Sequence, residues 1–155
     1  MTEDNSTLSI VVADDDPDDQ LLIQEAFRKT ALSGTVTVAN DGVELLDYLN
    51  DHRGLGDARR PDLVLLDLNM PRMDGREALA AIKGDPDLRA IPIVVLTTSG
   101  DEDDILKTYT LGASSYIRKP VTFTELVESV EHINKYWFSI VELPPHGQSA
   151  EATEA

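Results

Sequence analysis

The run Ile10-Val11-Val12-Ala13-Asp14-Asp15-Asp16-Pro17-Asp18-Asp19 sets five acidic residues directly behind an apolar segment. A buried parallel strand reads as such an apolar run, and it delivers charged groups to the mouth of a sheet where it ends. A second run, Leu63-Val64-Leu65-Leu66, ends in the same way on Asp67. Two strand ends carrying carboxylates point to a divalent-cation site with one acid left to react.

Strand-like and helix-like segments alternate away from this point. Residues 8–13 read as a strand, 17–30 as a helix opened by Pro17, and 35–39 as a short alternating strand. Asp41-Gly42-Val43-Glu44 looks like a capping box for a second helix carrying Leu45, Leu46, Tyr48 and Leu49. Residues 51–60 form a polar loop before strand three at 62–67. Asp74-Gly75-Arg76-Glu77 opens helix three, and Ile93 to Thr97 is strand four. Helix four runs from Asp101 to Leu111, strand five from Ser114 to Ile117, and Thr122 caps a last helix reaching about Phe138. The expected fold is α/β, a doubly wound five-stranded parallel sheet flanked by five helices. In such sheets functional groups gather beyond the carboxyl ends of the strands, here Asp14, Asp67, Thr97 and Lys119. Residues 1–7 are expected to be a disordered tail, 8–139 the folded domain, and 140–155 an extension with a mobile end.

Composition narrows the function. The 155 residues suit one domain with a full core. The 29 acidic and 13 basic residues leave a net charge of −16, which repels phosphate backbones and anionic membranes. Nucleic-acid and membrane binding are therefore not expected. There is no cysteine, which excludes disulfides and thiolate zinc sites. No apolar run approaches the roughly 20 residues needed to span a bilayer, and the first residues lack signal-peptide character. A cytoplasmic protein is expected.

The chemistry suited to these residues is transfer of a phosphoryl group to a carboxylate. Such a site needs a nucleophile, a metal to neutralise the incoming group, and a hydroxyl and a cation for its remaining oxygens. Asp67 is the candidate nucleophile, Asp14 and Asp15 are metal-binding acids, and Asn69 adds its backbone carbonyl. Thr97 supplies the hydroxyl and Lys119 the ammonium. Magnesium suits hard oxygen ligands in an open site completed by water and phosphate.

With these residues in place the chain resembles response-regulator receiver domains, which share a flavodoxin-like fold. The matching residues are Asp14-Asp15, Asp67-Leu68-Asn69-Met70-Pro71-Arg72-Met73-Asp74-Gly75, Thr97, Tyr116 and Lys119-Pro120, within about residues 8–139. The resemblance implies that a histidine kinase phosphorylates Asp67 and that Thr97 and Tyr116 then switch rotamers. It also implies a cis Lys119–Pro120 bond. A narrower likeness, to single-domain regulators paired with bacterial phytochromes, rests on Leu96-Thr97-Thr98-Ser99, Arg59-Arg60-Pro61-Asp62 and the ending from Tyr136 to Pro145. Val121 departs from the Phe that many receivers carry after Lys-Pro. Only 16 residues follow residue 139, so output is expected through binding rather than a further domain, and the protein is not expected to be a free-standing enzyme. Rival readings are a degenerate receiver serving as a binding module, a phosphate sink, and an aspartyl-nucleophile phosphatase. The last lacks the hydroxyl residue its motif requires near Asp14.

Other features have plainer readings. Asp18, Asp19, Asp101, Glu102, Asp103 and Asp104 are read as solvated helix starts. Asp14, Asp16, Asp18 and Glu25 match the ligand spacing of a calcium loop, but Asp19 stands where that loop needs Gly. His52, His132 and His146 are too scattered for a metal site. Tyr136, Trp137 and Phe138 are consecutive, and a helix cannot bury three consecutive side chains on one face. At least one faces away from the core, either covered by residues 140–143 or forming a homodimer contact together with helix four, strand five and helix five.

Overall fold

The computed structural model describes residues 8–30 and 34–145. His146 and the expected terminal tails, 1–7 and 146–155, lie outside them. The elements in order are β1 (Leu8–Ala13), α1 (Pro17–Lys29), β2 (Gly34–Ala39), α2 (Gly42–Asp51), β3 (Leu63–Leu66), α3 (Gly75–Lys83), β4 (Ile93–Thr97), α4 (Glu102–Leu111), β5 (Ser115–Arg118) and α5 (Phe123–Lys135). All neighbouring strands are parallel, in the order β2-β1-β3-β4-β5. The winding reverses between β1 and β3, so their carboxyl ends open onto a crevice. Ala13 pairs with Leu66 in that register, and the Asp67 amide donates to the Ala13 carbonyl at 2.9 Å.

Strand alternation divides the core into two layers. Val11, Ala13, Val64, Leu66 and Val95 face Leu45 and Leu49 of α2 and Ala78, Leu79 and Ile82 of α3. Ile10, Val12, Leu63, Leu65, Val94 and Leu96 face Ile23, Ala26 and Phe27 of α1 and Leu126, Val130 and Ile133 of α5. Most of these side chains are fully buried, each contributing about 1.5–3 kcal/mol of transfer free energy.

Helix starts follow the capping residues. Asp74 and Glu77 form a reciprocal box. At α2 the box is half made: Asp41 accepts from the Glu44 amide, but the Glu44 carboxylate turns to the Asn40 amide and side chain. Gly75 is required by close approach, because a Cβ there would lie 2.2 Å from the Asp67 carbonyl oxygen. Gly112 ends α4 at φ 114, a left-handed geometry that favours glycine.

Two expectations are corrected. No cis peptide occurs among the described residues, so Lys119–Pro120 is trans. Trans is the lower-energy isomer by about 0.5–1 kcal/mol even before proline. The last helix also continues beyond Phe138, loosening from α5 into a π-helical turn, Tyr136–Ile140. Trp137 and Phe138 pack on the α1/α5 layer, while Tyr136 is half exposed and stacks edge-on against Trp137 at 5.4 Å. The residues beyond do not cover it: Ile140 is exposed, and Pro144 and Pro145 line a groove with Pro61 and Pro92.

Candidate functional site

The site lies across the carboxyl ends of β1, β3, β4 and β5. Asp14, directly after β1, is buried, and its Oδ1 accepts from the Asp16 amide at 3.0 Å. Asp67, directly after β3, is also buried, and its Oδ1 lies 3.4 Å from the Asn69 amide. Asp15 is exposed beside them, and the three carboxylates each bring an oxygen within 4.8 Å of the others. Oxygens around an octahedral ion bound at about 2.1 Å stand about 3 Å apart when adjacent and about 4.2 Å apart when opposite, so convergence of these three carboxylates places a donor set for a small dication at one spot. The donor set is all hard oxygen, which fits magnesium-type ions and not soft metals.

Lys119 follows β5, and its amide donates to the Thr97 carbonyl at 2.7 Å. Its Nζ reaches Asp14 Oδ2 at 2.6 Å, Asp19 Oδ2 at 2.8 Å and Asp67 Oδ2 at 3.3 Å. Burial pulls the ammonium pKa down, but the bonds to Asp14 and Asp19 outweigh it and push the value above the ordinary lysine range. Burial raises the Asp14 pKa, against the opposing pull of Lys119 and the Asp16 amide. Thr97, the last residue of β4, is fully buried, and its hydroxyl oxygen finds no hydrogen-bond partner among the described residues. Tyr116 is partly buried against the α2/α3 layer and donates its hydroxyl to the Ser99 carbonyl at 2.9 Å.

Sequence reasoning underrated two acids. Asp19 holds Lys119, and Asp104 accepts from Ser99 Oγ at 2.9 Å and pairs with Arg76 at 2.8 Å. Acids at helix starts are common for electrostatic reasons alone, so nothing in the local pattern separated these two from Asp18 or Asp103. The same holds for Arg72. It sits at φ 64 in the β3–α3 loop and clamps the buried Asp41 carboxylate through Nε at 2.7 Å and a second bond at 3.2 Å.

A family model for the response regulator receiver domain matches residues 10–131. The chain belongs to this family. It is 37% identical over 142 residues to response regulator Rcp1 of Synechocystis sp., covering 92% of this chain and 97% of that protein. The fold matches the phosphorylated cyanobacterial phytochrome response regulator RcpA with a TM-score of 0.82 at 42% identity, over 90% of this chain and 99% of the other. It matches the Mn(2+)-bound form of Rcp1 with a TM-score of 0.79 at 37% identity, over 88% and 99% of the two chains. The protein is therefore a two-component response regulator, similar to phytochrome-associated regulators, and receivers of this family bind a divalent metal. No helix among the described residues is long and apolar enough to cross a membrane.

Proposed function

We propose that Asp67 accepts a phosphoryl group from the phosphohistidine of a kinase. An Asp67 carboxylate oxygen attacks phosphorus, the P–N bond breaks, the imidazole leaves, and an aspartyl phosphate forms. The observation that carries this reading is the buried Thr97 hydroxyl, unpartnered among the described residues, at the strand end beside Asp67. A buried hydroxyl left unpaired costs about 1–3 kcal/mol, a cost that a phosphoryl oxygen arriving on Asp67 would relieve. Lys119 stands ready for a second oxygen. Asp14, Asp15, Asp67 and the Asn69 backbone carbonyl would hold magnesium, which supplies charge neutralisation to the transferring group. Thr97 and Tyr116 then form the switch: Thr97 moving toward the phosphoryl group changes the packing beneath Tyr116, whose hydroxyl rests on the β4–α4 loop.

The protein is a phosphoacceptor that assists its own phosphorylation and dephosphorylation, and residues 8–139 are its receiver unit. The similarity to RcpA supports a bacterial phytochrome as the kinase. A cytoplasmic location belongs to the same reading, because receivers take their phosphoryl group from kinases of two-component systems. Output is binding, to a partner or to a second copy. Leu106 and Tyr109 of α4 and Tyr136 and Ile140 of the extension are exposed apolar residues on or near the face built from α4, β5 and α5. A groove of about 410 Å³ lies between Ser115 and Ile117 of β5 and His132 and Tyr136. That surface suits a homodimer.

The test is transfer from autophosphorylated kinases, a phytochrome among them, to wild type and Asp67→Asn with magnesium present. Label should appear on wild type only. Label on the Asp67→Asn variant would refute the acceptor assignment.

A further inference from the structure

We infer that Asp19 is a positioning residue that restrains Lys119 in the resting site and thereby sets how readily the site takes up a phosphoryl group. This rests on the reading of Asp67 as acceptor and goes beyond it, because Asp19 lies outside the acid pair, the acceptor and the switch residues. An ammonium has three donors, and each has one carboxylate here: Asp14 at 2.6 Å, Asp19 at 2.8 Å and Asp67 at 3.3 Å. Lys119 is thus saturated. It can engage a phosphoryl oxygen only by giving up an acceptor or stretching toward Asp67, its most distant partner.

The restraint is built in. Asp19 sits in the first turn of α1, whose start is fixed by Asp16 accepting from the Asp18 amide. The next residue, Gln20, ties that turn to the site by donating to the Asp14 carbonyl at 2.5 Å and to Asn40 Oδ1 at 2.7 Å. The turn that carries Asp19 is thereby held against the site, and from it the Asp19 carboxylate meets Lys119 at 2.8 Å. Its side chain is 33% exposed while that of Lys119 is 10% exposed, so water can replace Lys119 for Asp19 more easily than Asp19 for Lys119. Asp19 also adds a negative charge beside a site that must take up an anion. Asp18, one residue earlier in the same turn, is exposed and makes no ion pair among the described residues.

Removing the Asp19 charge should act in opposite directions on cation and anion. Asp19→Asn should bind magnesium alone more weakly than wild type. At saturating magnesium it should bind fluoroberyllate, a phosphoryl mimic, about fivefold more tightly, the scale of one charge several ångströms away in a partly solvated site. Its phosphorylation by acetyl phosphate should accelerate to a similar degree. Asp19→Glu should return all three readouts toward wild type. Asp18→Asn is the matched control, removing the same charge from the same turn without touching Lys119, and should stay within about twofold of wild type. Calorimetry gives both affinities on the folded 155-residue chain, and circular dichroism confirms folding. Equal effects of Asp18→Asn and Asp19→Asn, or unchanged fluoroberyllate affinity in Asp19→Asn, would overturn the inference. Asp67→Asn separates this from the acceptor reading: tight, magnesium-dependent fluoroberyllate binding by that variant would defeat the acceptor assignment itself, whatever the Asp19 variants show.

Discussion

Asp14, Asp67 and Lys119 show how residue positions were readable in advance. Asp14 and Asp67 stand where an apolar run stops and Lys119 where a short strand-like segment meets a proline, and a strand end is the place where a sheet exposes charge. Asp19 and Arg72 were not readable, because their partners, Lys119 and Asp41, are distant in sequence and are chosen by how α1 and the β3–α3 loop dock. Two predictions belong at this scale. The hydrogen bond from Arg72 holds the Asp41 carboxyl below its usual pKa of 3.8. With a depressed folded value the unfolded chain binds the extra proton first, so this stabilisation is present above about pH 4 and is lost as pH falls through the folded pKa. Arg72→Ala should therefore be less stable than wild type at pH 6, and the difference should shrink in urea melts taken toward pH 2. A constant difference would disprove the coupling. Magnesium should stabilise the folded state by about 2.7 kcal/mol at one hundred times its dissociation constant. Thermal melts of Asp15→Asn should show little of that shift.

The elements were foreseen in number, order and type because each carries its own period and its own punctuation. Pro17, Asp74 and Thr122 mark helix starts through geometry confined to a few neighbouring residues. The π-helical turn after Lys135 was not foreseen. It arises where Trp137 and Phe138 pack on the α1/α5 layer while Tyr136 stays out, a compromise with surfaces that belong to other elements. The start of α3 gives an element-scale test. Gly75→Ala would drive a Cβ against the backbone beneath Asp67, whereas a Cβ at Gly54 meets nothing within 4 Å. Gly75→Ala should cost about 2 kcal/mol in denaturant unfolding and weaken magnesium binding by displacing the Asp67 backbone, while Gly54→Ala should be close to neutral. Equal stability of the two variants would refute the close-packing account.

For the whole molecule, the net charge of −16 makes self-repulsion a general term in stability. Raising sodium chloride from 0.1 M to 1 M shortens the screening length from about 10 Å to about 3 Å, so the melting temperature should rise by a few degrees. A fall would show that attractive pairs such as Arg53 with Asp85 and Asp87 dominate instead. Association is the second test at this scale. Light scattering over a concentration series should show dimers whose population rises with phosphorylation or fluoroberyllate, and Tyr136→Ala should weaken them without unfolding the chain. Identical monomer masses throughout would exclude the dimer. The sequence by itself determined the five alternating strand–helix units, the strand-end carboxylates, the hydroxyl and the lysine. These are set by hydrophobic period and local capping, which act over a few residues. Only the tertiary structure decided that Asp19 shares Lys119, that Arg72 clamps Asp41, that the Lys119–Pro120 bond is trans and that Tyr136 alone of the three aromatics is left half exposed. Those outcomes depend on which surfaces meet once the helices dock on the sheet, a choice made by packing over the whole chain.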